Sequence, residues 1–431
     1  MAKVAFIGAG SVEFTRNLVT DLCSLPHLRG SLEFALHDID GPRLDHAAAM
    51  TRRIVDQTSA GAKVTSSLDR RPAIEGADYV VNVVQVGGYK ATRTDFDVPA
   101  RYGVRQTIAD TLGIGGIFRG LRTIPVVVDL ATDMSRVCPD AYLLNYSNPM
   151  AMLPWAVYAG TPFDRVVGLC HSVRDTHGFL AGLVGKAVDD VDFTTAGFNH
   201  QAFVLQFEHQ GEDLYPRLRE VIDADADLQR RVRVEIFRRF GYFPTESSEH
   251  SAEYVPWFMR HDGEVEHFRI FVGDYLHRTD ENIAEYQRTE RELATDAPLE
   301  LEITSELASE FIDAHLGGGE REIYANVRNG GLISSLPEDC CVEVPCTVDP
   351  TGLHPRQVGA LPPQLAALNR TFLNVVELTV RAVLDGDRRH VYQAALLDPN
   401  CAATLTTRET VQMCDDLFEA HGDLTPEALR R

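Results

Sequence analysis

KVAFIGAGSVEF (residues 3–14) decides how the rest of the sequence is read. Lys3–Ile7 is an apolar run of strand length, Gly8-Ala9-Gly10-Ser11 forms a tight turn, and TRNLVTDLCSL follows as a helix. Glycines at 8 and 10 let the turn close and let backbone amides approach a pyrophosphate at the helix N-terminus. Gly8, Gly10 and Ser11 are therefore candidate cofactor-binding positions, although Glu13 stands where the usual fingerprint has its third glycine. A second strand, Leu32–Leu36, ends at His37-Asp38-Ile39-Asp40. Asp38 at that strand's end can bond ribose hydroxyls and would repel a 2′-phosphate, which favours NAD over NADP. Nearby Arg43, also counted with the cofactor residues, pulls the other way.

Outward from this turn, strands and helices alternate to about residue 190. Tyr79–Val86 reads as a strand ending in Gly87-Gly88, Ala141–Asn145 as one ending in Tyr146-Ser147-Asn148-Pro149, and Val166–Leu169 as one ending at Cys170-His171. Loops at the carboxyl edge of a parallel sheet are where such folds bind ligands, so Asn148 becomes a candidate contact to cofactor or substrate. Longer helical segments follow: Leu214–Phe240, Ile283–Thr295 and Leu361–Asp385, with weaker strands at Val191–Thr195 and Phe268–Val272. The expected fold is α/β: a Rossmann-like, doubly wound domain over residues 1–193, then an α+β, mostly helical domain over 194–431 that carries substrate, metal and oligomer contacts, arranged as in lactate and malate dehydrogenases.

Composition narrows the function classes. The 431 residues carry 41 Lys and Arg against 63 Asp and Glu, a formal net charge of −22. That balance speaks against nucleic acid and anionic membrane as partners and for a small ligand. The N-terminus has no secretory pattern, and no apolar run approaches the roughly 18 residues of a membrane span. Eight cysteines in so long a chain make no disulfide framework, so a cytoplasmic protein with reduced thiols is expected.

Cys170 and His171 stand side by side where a strand ends, open to four readings: core packing, a nucleophile with its base, half of a metal site, or a redox centre. Neighbours on an extended segment point to opposite sides, which argues against a dyad of these two. A second imidazole, His200, follows another strand and glycine turn in TTAGFNHQAF. One thiol and one imidazole from separate strand ends suit a transition metal that keeps positions open for substrate oxygens. A third segment, FGYFPTESSEHSAEYVPWF (240–258), is dense in polar and aromatic groups, and a helix starting near Ser247 or Ser248 puts His250 and Tyr254 on one face.

Taken together, the GAGS turn, TIADTLGIGGIFRGLRTIP (107–125), SNPMA, GLCHSV, AGFNH, the 240–258 segment and NVRNGGLISSLPEDCCVEVPC (326–346) resemble glycoside hydrolase family four, most closely its α-galactosidase branch. The resemblance implies a cytoplasmic glycosidase of small α-galactosides that uses NAD⁺ and a divalent metal, usually Mn²⁺, in place of two carboxylates. The sugar C3 is oxidised, the C2 proton removed, the aglycone eliminated, water added and the ketone reduced again. It implies Cys170 and His200 as metal ligands, His171 as the proton donor to the leaving group, and Tyr254 as the C2 base with Glu249 and His250 as substitutes near the substrate. Asn148 and Asp110 are implied sugar contacts, and a homodimer or homotetramer is implied. Relatives acting on α-galacturonides or α-glucuronides share much of this pattern; a uronate calls for a cation such as Arg119, Arg260 or Arg278. A plain NAD-dependent hydroxyacid or polyol dehydrogenase is the reading that the N-terminal half alone would permit.

Overall fold

A computed structural model describes residues 1–295 and 297–430. Six strands form its parallel half: β1 (Ala2–Ile7), β2 (Leu32–His37), β3 (Lys63–Ser67), β4 (Tyr79–Asn82), β5 (Tyr142–Asn145) and β6 (Val166–Leu169). They lie in the order β3-β2-β1-β4-β5-β6, that of a dinucleotide-binding doubly wound sheet. Every residue of β4, β5 and β6 is buried. Such continuous apolar strands are what a parallel sheet covered by helices on both faces requires.

The sheet continues past β6. Its second half comprises β7 (Asp192–Phe198), β8 (Gln201–His209), β9 (Glu212–Asp213), β10 (Phe243–Pro244), β11 (Arg321–Arg328), β12 (Cys341–Asp349) and β13 (Gly352–Pro355). β11 joins β6 antiparallel, with Ala325 opposite Leu169 and Asn326 opposite Gly168, and β12, β7, β8 and β10 extend the same sheet outward. The fold is thus α/β, with one mixed sheet running through both halves of the chain.

The expected elements mostly appear, with three corrections. The helix expected over 214–240 is two helices, Tyr215–Ala224 and Val232–Phe240. Between them Asp225 accepts from the backbone N–H of Asp227 and Leu228, a local turn that competes with the helical ladder. The strand expected at Phe268–Val272 does not form: Arg269 has φ 52°, and Ile270 N–H bonds back to Val265. β4 stops at Asn82, short of Val86.

The C-terminal helices fold back over the first half. Pro363–Asp385 packs on the helix Gly113–Val137, and Thr407–His421 packs on Gly88–Arg101. A buried ion network pins this return, since Asp95 takes Arg122 at 2.6 Å and His421 at 2.9 Å. Among the described residues, no helix is long and apolar enough to cross a membrane.

Candidate active site

At the nucleotide end, Gly8 has φ 85° and lies so close to the Val83–Val84 backbone that a Cβ would sit 3.1 Å from it. A Cβ on Gly10 would meet Asp38 Oδ2 at 2.7 Å. Gly10 N–H donates to that same oxygen at 2.8 Å, and Asp40 N–H donates to Asp38 Oδ1 at 3.0 Å. The Asp38 carboxylate is thereby fixed at the end of β2, with further lone pairs to offer a ribose diol. Arg43 donates to Gly10 O at 3.2 Å and lies over the Tyr286 ring. Ser11 caps the helix Val12–Ser24 by position, yet its side chain makes no capping bond. That leaves the hydroxyl and the first-turn amides for an anionic ligand, so a dinucleotide fits this cradle. Glu13 is the departure, its carboxyl pKa raised by loss of water around it and by the negative charges of Glu306 and Glu285.

Beyond the ends of β5 and β6, three distant segments converge. Cys170 Sγ and His200 Nε2 lie 3.1 Å apart. Tyr254 Oη lies 3.2 Å from the other ring nitrogen of His200, an outer partner of the sort that fixes the orientation of metal-bound imidazoles. Glu246, one of the two carboxyls of TESSE, stands 3.6 Å from His200 Nε2 and 3.2 Å from His250 Nδ1. Burial disfavours a charged His200, yet the Cys170 sulfur and Glu246 carboxylate outweigh it and raise the ring to about 10. Burial likewise opposes ionisation of Glu246, but His250, His200 and Arg233 hold it down at about 2. His250 itself is kept neutral by burial, lowered to about 4 despite Glu246. A soft sulfur, an imidazole and an ionised carboxylate around one point call for positive charge, and a divalent transition metal fits that donor set.

Asp110 and Asn148 complete the floor. Asn148 Nδ2 donates to Asp110 Oδ2 at 3.0 Å, Thr111 Oγ1 donates to Oδ1 at 2.7 Å, and Arg119 Nε donates to Asn148 O at 3.3 Å. The reason TIADTLGIGG is glycine-rich is steric: a Cβ on Gly115 would lie 2.7 Å from Ala109 O, and one on Gly116 2.7 Å from the Thr111 carbonyl carbon. The loop therefore lies directly on the helix that follows it. Glu253 holds it from the other side, accepting from the N–H of Thr107, Ile108 and Ala109 at 2.8–3.2 Å. Burial raises that carboxyl to about 7, against the pull of these donors.

The extended geometry expected at His171 does not form, since it opens the helix Ser172–Leu183 (φ −73°, ψ −14°); it meets a different partner from Cys170. Its Nε2 meets Glu306 Oε2 at 2.9 Å, and this carboxylate raises the imidazole pKa against the opposing effect of burial. Tyr254 is fully buried, which pushes its phenol well above the ordinary value. Of the implied substrate residues, Glu249 contributes a backbone carbonyl to Thr107 Oγ1 at 2.8 Å. Sequence reading did not single out Glu246, Glu253 or Glu306. The first two lie in the flagged 240–258 segment; Glu306 begins a helix with no marker of its own.

The sequence matches the model of family 4 glycosyl hydrolases over residues 3–186 and that of their C-terminal domain over 195–401. It is 42% identical to an alpha-galactosidase of Bacillus subtilis, covering 99% of this chain and 100% of that protein. An alpha-galactosidase of Rhizobium meliloti is 34% identical, covering 99% and 89%. A crystal structure of a 6-phospho-alpha-glucosidase from gut microorganisms in complex with NAD and Mn²⁺ superimposes with a TM-score of 0.84 at 20% identity, covering 99% of each chain.

Proposed function

The chain belongs to family 4 of the glycosyl hydrolases, and from that premise we propose that it hydrolyses small α-galactosides, with NAD⁺ and a divalent metal such as Mn²⁺ as resident cofactors. The observation that carries this reading is the thiol–imidazole pair, Cys170 Sγ to His200 Nε2 at 3.1 Å, standing at the carboxyl edge of a sheet whose first turn is a GxG cradle. The choice of galactoside rests on the full-length likeness to two alpha-galactosidases. When bound, NAD⁺ would supply the hydride acceptor and donor for the sugar C3, and the metal held by Cys170 and His200 would supply Lewis acidity to the sugar oxygens.

The protein's own residues then have separable tasks. Gly8, Gly10, Ser11, Asp38 and Arg43 seat the dinucleotide, while Cys170 and His200 hold the metal. Asp110 and Asn148, locked to one another, present one carboxylate and one amide to the sugar hydroxyls. His171, with Glu306 behind it, holds a proton on the side of the departing glycosidic oxygen. Tyr254 removes the C2 proton, for which its buried phenol needs the positive charge that the cluster is built to accept. His250 and Glu249 line the same corner. Residues 1–193 would bind the cofactor and also bring Asp110, Asn148, Cys170 and His171 to the site, while 194–431 adds His200 and Tyr254 and the subunit contacts of a homodimer or homotetramer. All eight cysteines are free, consistent with a reducing cytoplasm.

Arg119 supports a second reading, an α-galacturonide as substrate. It is only 6% exposed, and its guanidinium reaches both Asn148 O and Tyr275 Oη (3.1 Å), so it lies within the sugar-facing corner. A panel of nitrophenyl α- and β-galactosides and α-galacturonide, with NAD⁺ and Mn²⁺ omitted in turn, tests both readings. Turnover of the galactoside only when both cofactors are present, with no net NADH, is expected. Stoichiometric NADH from a free sugar or hydroxyacid would make the protein a dehydrogenase instead.

A further inference from the structure

Glu246 has no task in the reaction described above, yet the structure goes to some length to place it. The residue lies between β10, which pairs with β8, and the short helix Ser248–Glu253, whose first turn is capped by Ser247 Oγ. Its backbone sits at φ 69°, in the left-handed region that a non-glycine residue adopts only at a cost. His200 has the same handedness, at φ 61°. Two unfavourable backbone conformations thus aim two side chains at one point. There the Cys170 sulfur, a His200 ring nitrogen and a Glu246 carboxylate oxygen all lie within 4.8 Å of one another, the single such trio of His, Cys, Asp or Glu donors among the described residues.

The spacing fits ligands better than it fits mutual hydrogen bonding. Metal bonds of about 2.0–2.3 Å to oxygen, nitrogen and sulfur put neighbouring donors roughly 3–4 Å apart around an ion. Glu246 Oε2 stands 3.6 Å from His200 Nε2, too far for a hydrogen bond and right for two ligands sharing a cation. Nor is Glu246 required to satisfy His250, because Ser247 Oγ already meets His250 Nδ1 at 2.8 Å. We propose that Glu246 is the third protein ligand of the divalent cation that Cys170 and His200 hold. A sulfur–nitrogen–oxygen set of three gives the ion two compensating negative charges and leaves open positions on one side for substrate oxygens.

This inference rests on the metal reading of the Cys170–His200 pair, and its test separates the two. Full-length protein freed of metal is titrated with Mn²⁺ by calorimetry, without NAD⁺ or substrate, for wild type and for Cys170→Ser, Glu246→Gln and Glu246→Asp. Glu246→Gln is expected to weaken Mn²⁺ binding by at least about tenfold, and Glu246→Asp by less. With Co²⁺ in place of Mn²⁺, Glu246→Gln should keep the sulfur-to-cobalt charge-transfer band and shift the ligand-field bands. That spectrum reads the ion's ligands directly, whatever the variant does to folding stability. Wild-type Mn²⁺ affinity and unchanged cobalt bands in Glu246→Gln, with binding still lost in Cys170→Ser, would overturn the role of Glu246 alone. Unchanged binding in Cys170→Ser as well would overturn the metal centre and Glu246 with it.

Discussion

The two ligand-binding corners of this sheet are built on opposite principles. Around the GxG turn the groups satisfy one another: Asp38 takes Gly10 N–H and Asp40 N–H, and Arg43 takes Gly10 O. A ligand arriving there finds a finished scaffold. Around Cys170 the groups oppose one another's ease, since ionisable side chains are buried together and Ala109, His200 and Glu246 all adopt left-handed backbone. Seating a dinucleotide mostly needs backbone and shape, so a local turn suffices. Binding a cation and moving protons needs charges held where water would not leave them, which only tertiary structure can enforce.

Substitutions at each corner should therefore fail differently. The largest effect is expected from Cys170→Ser, which should lower turnover by about three orders of magnitude through lost Lewis acidity while NAD⁺ affinity and melting temperature hold nearly constant. Activity in that variant that survives EDTA would remove the asymmetry between the corners. Glu253→Gln should loosen the loop carrying Asp110, because an amide oxygen replaces a carboxylate that accepts from three backbone N–H groups. A loss of about tenfold in kcat/KM for glycoside, with NAD⁺ binding unaltered, follows from one weakened buried hydrogen bond worth about 1–1.5 kcal/mol. Asp38→Ala should raise the NAD⁺ dissociation constant about tenfold, one lost charged hydrogen bond, and leave Mn²⁺ binding untouched.

The smallest effect at neutral pH belongs to His177, behind the metal corner. Its ring stacks on Phe193 at 3.9 Å, and burial lowers its pKa from 6.5 to about 3. The fold keeps this imidazole neutral, whereas the unfolded chain protonates it below its ordinary pKa. Its contribution is whole above pH 6.5 and is lost as pH falls towards 3, by about 1.4 kcal/mol per unit. His177→Phe should flatten the acid limb of a stability–pH curve by that one-proton slope, measured by denaturant titration between pH 6.5 and 5.

Legibility in the sequence followed the same divide. The GxG turn, Asp38 and the strands leading to Asn148 and Cys170 are local patterns, whereas the pairing of Cys170 with His200 comes from the family resemblance, two separate strand ends only being compatible with it. Glu306 is invisible as the partner of His171 because 135 positions separate them and only the docking of the helix Leu307–His315 joins them. Glu246, one of the polar groups of the 240–258 segment, received no role for another reason: its left-handed backbone comes at the turn between β10 and Ser247, and no residue type announces it. Arg269 misled in the opposite sense, interrupting an apolar run that reads as a strand.

The junction of β6 with β11 has a consequence for how the protein is made. The strand that leads to Cys170 pairs on one side with β5, soon after it is synthesised, and on the other with residues around Ala325. Until that later stretch leaves the ribosome, the apolar β6 is an open edge, the kind of surface on which partly made chains adhere to one another. Synthesis halted before β11 should therefore yield an aggregating fragment even though the entire parallel half has been translated, and chaperone demand should peak over that interval.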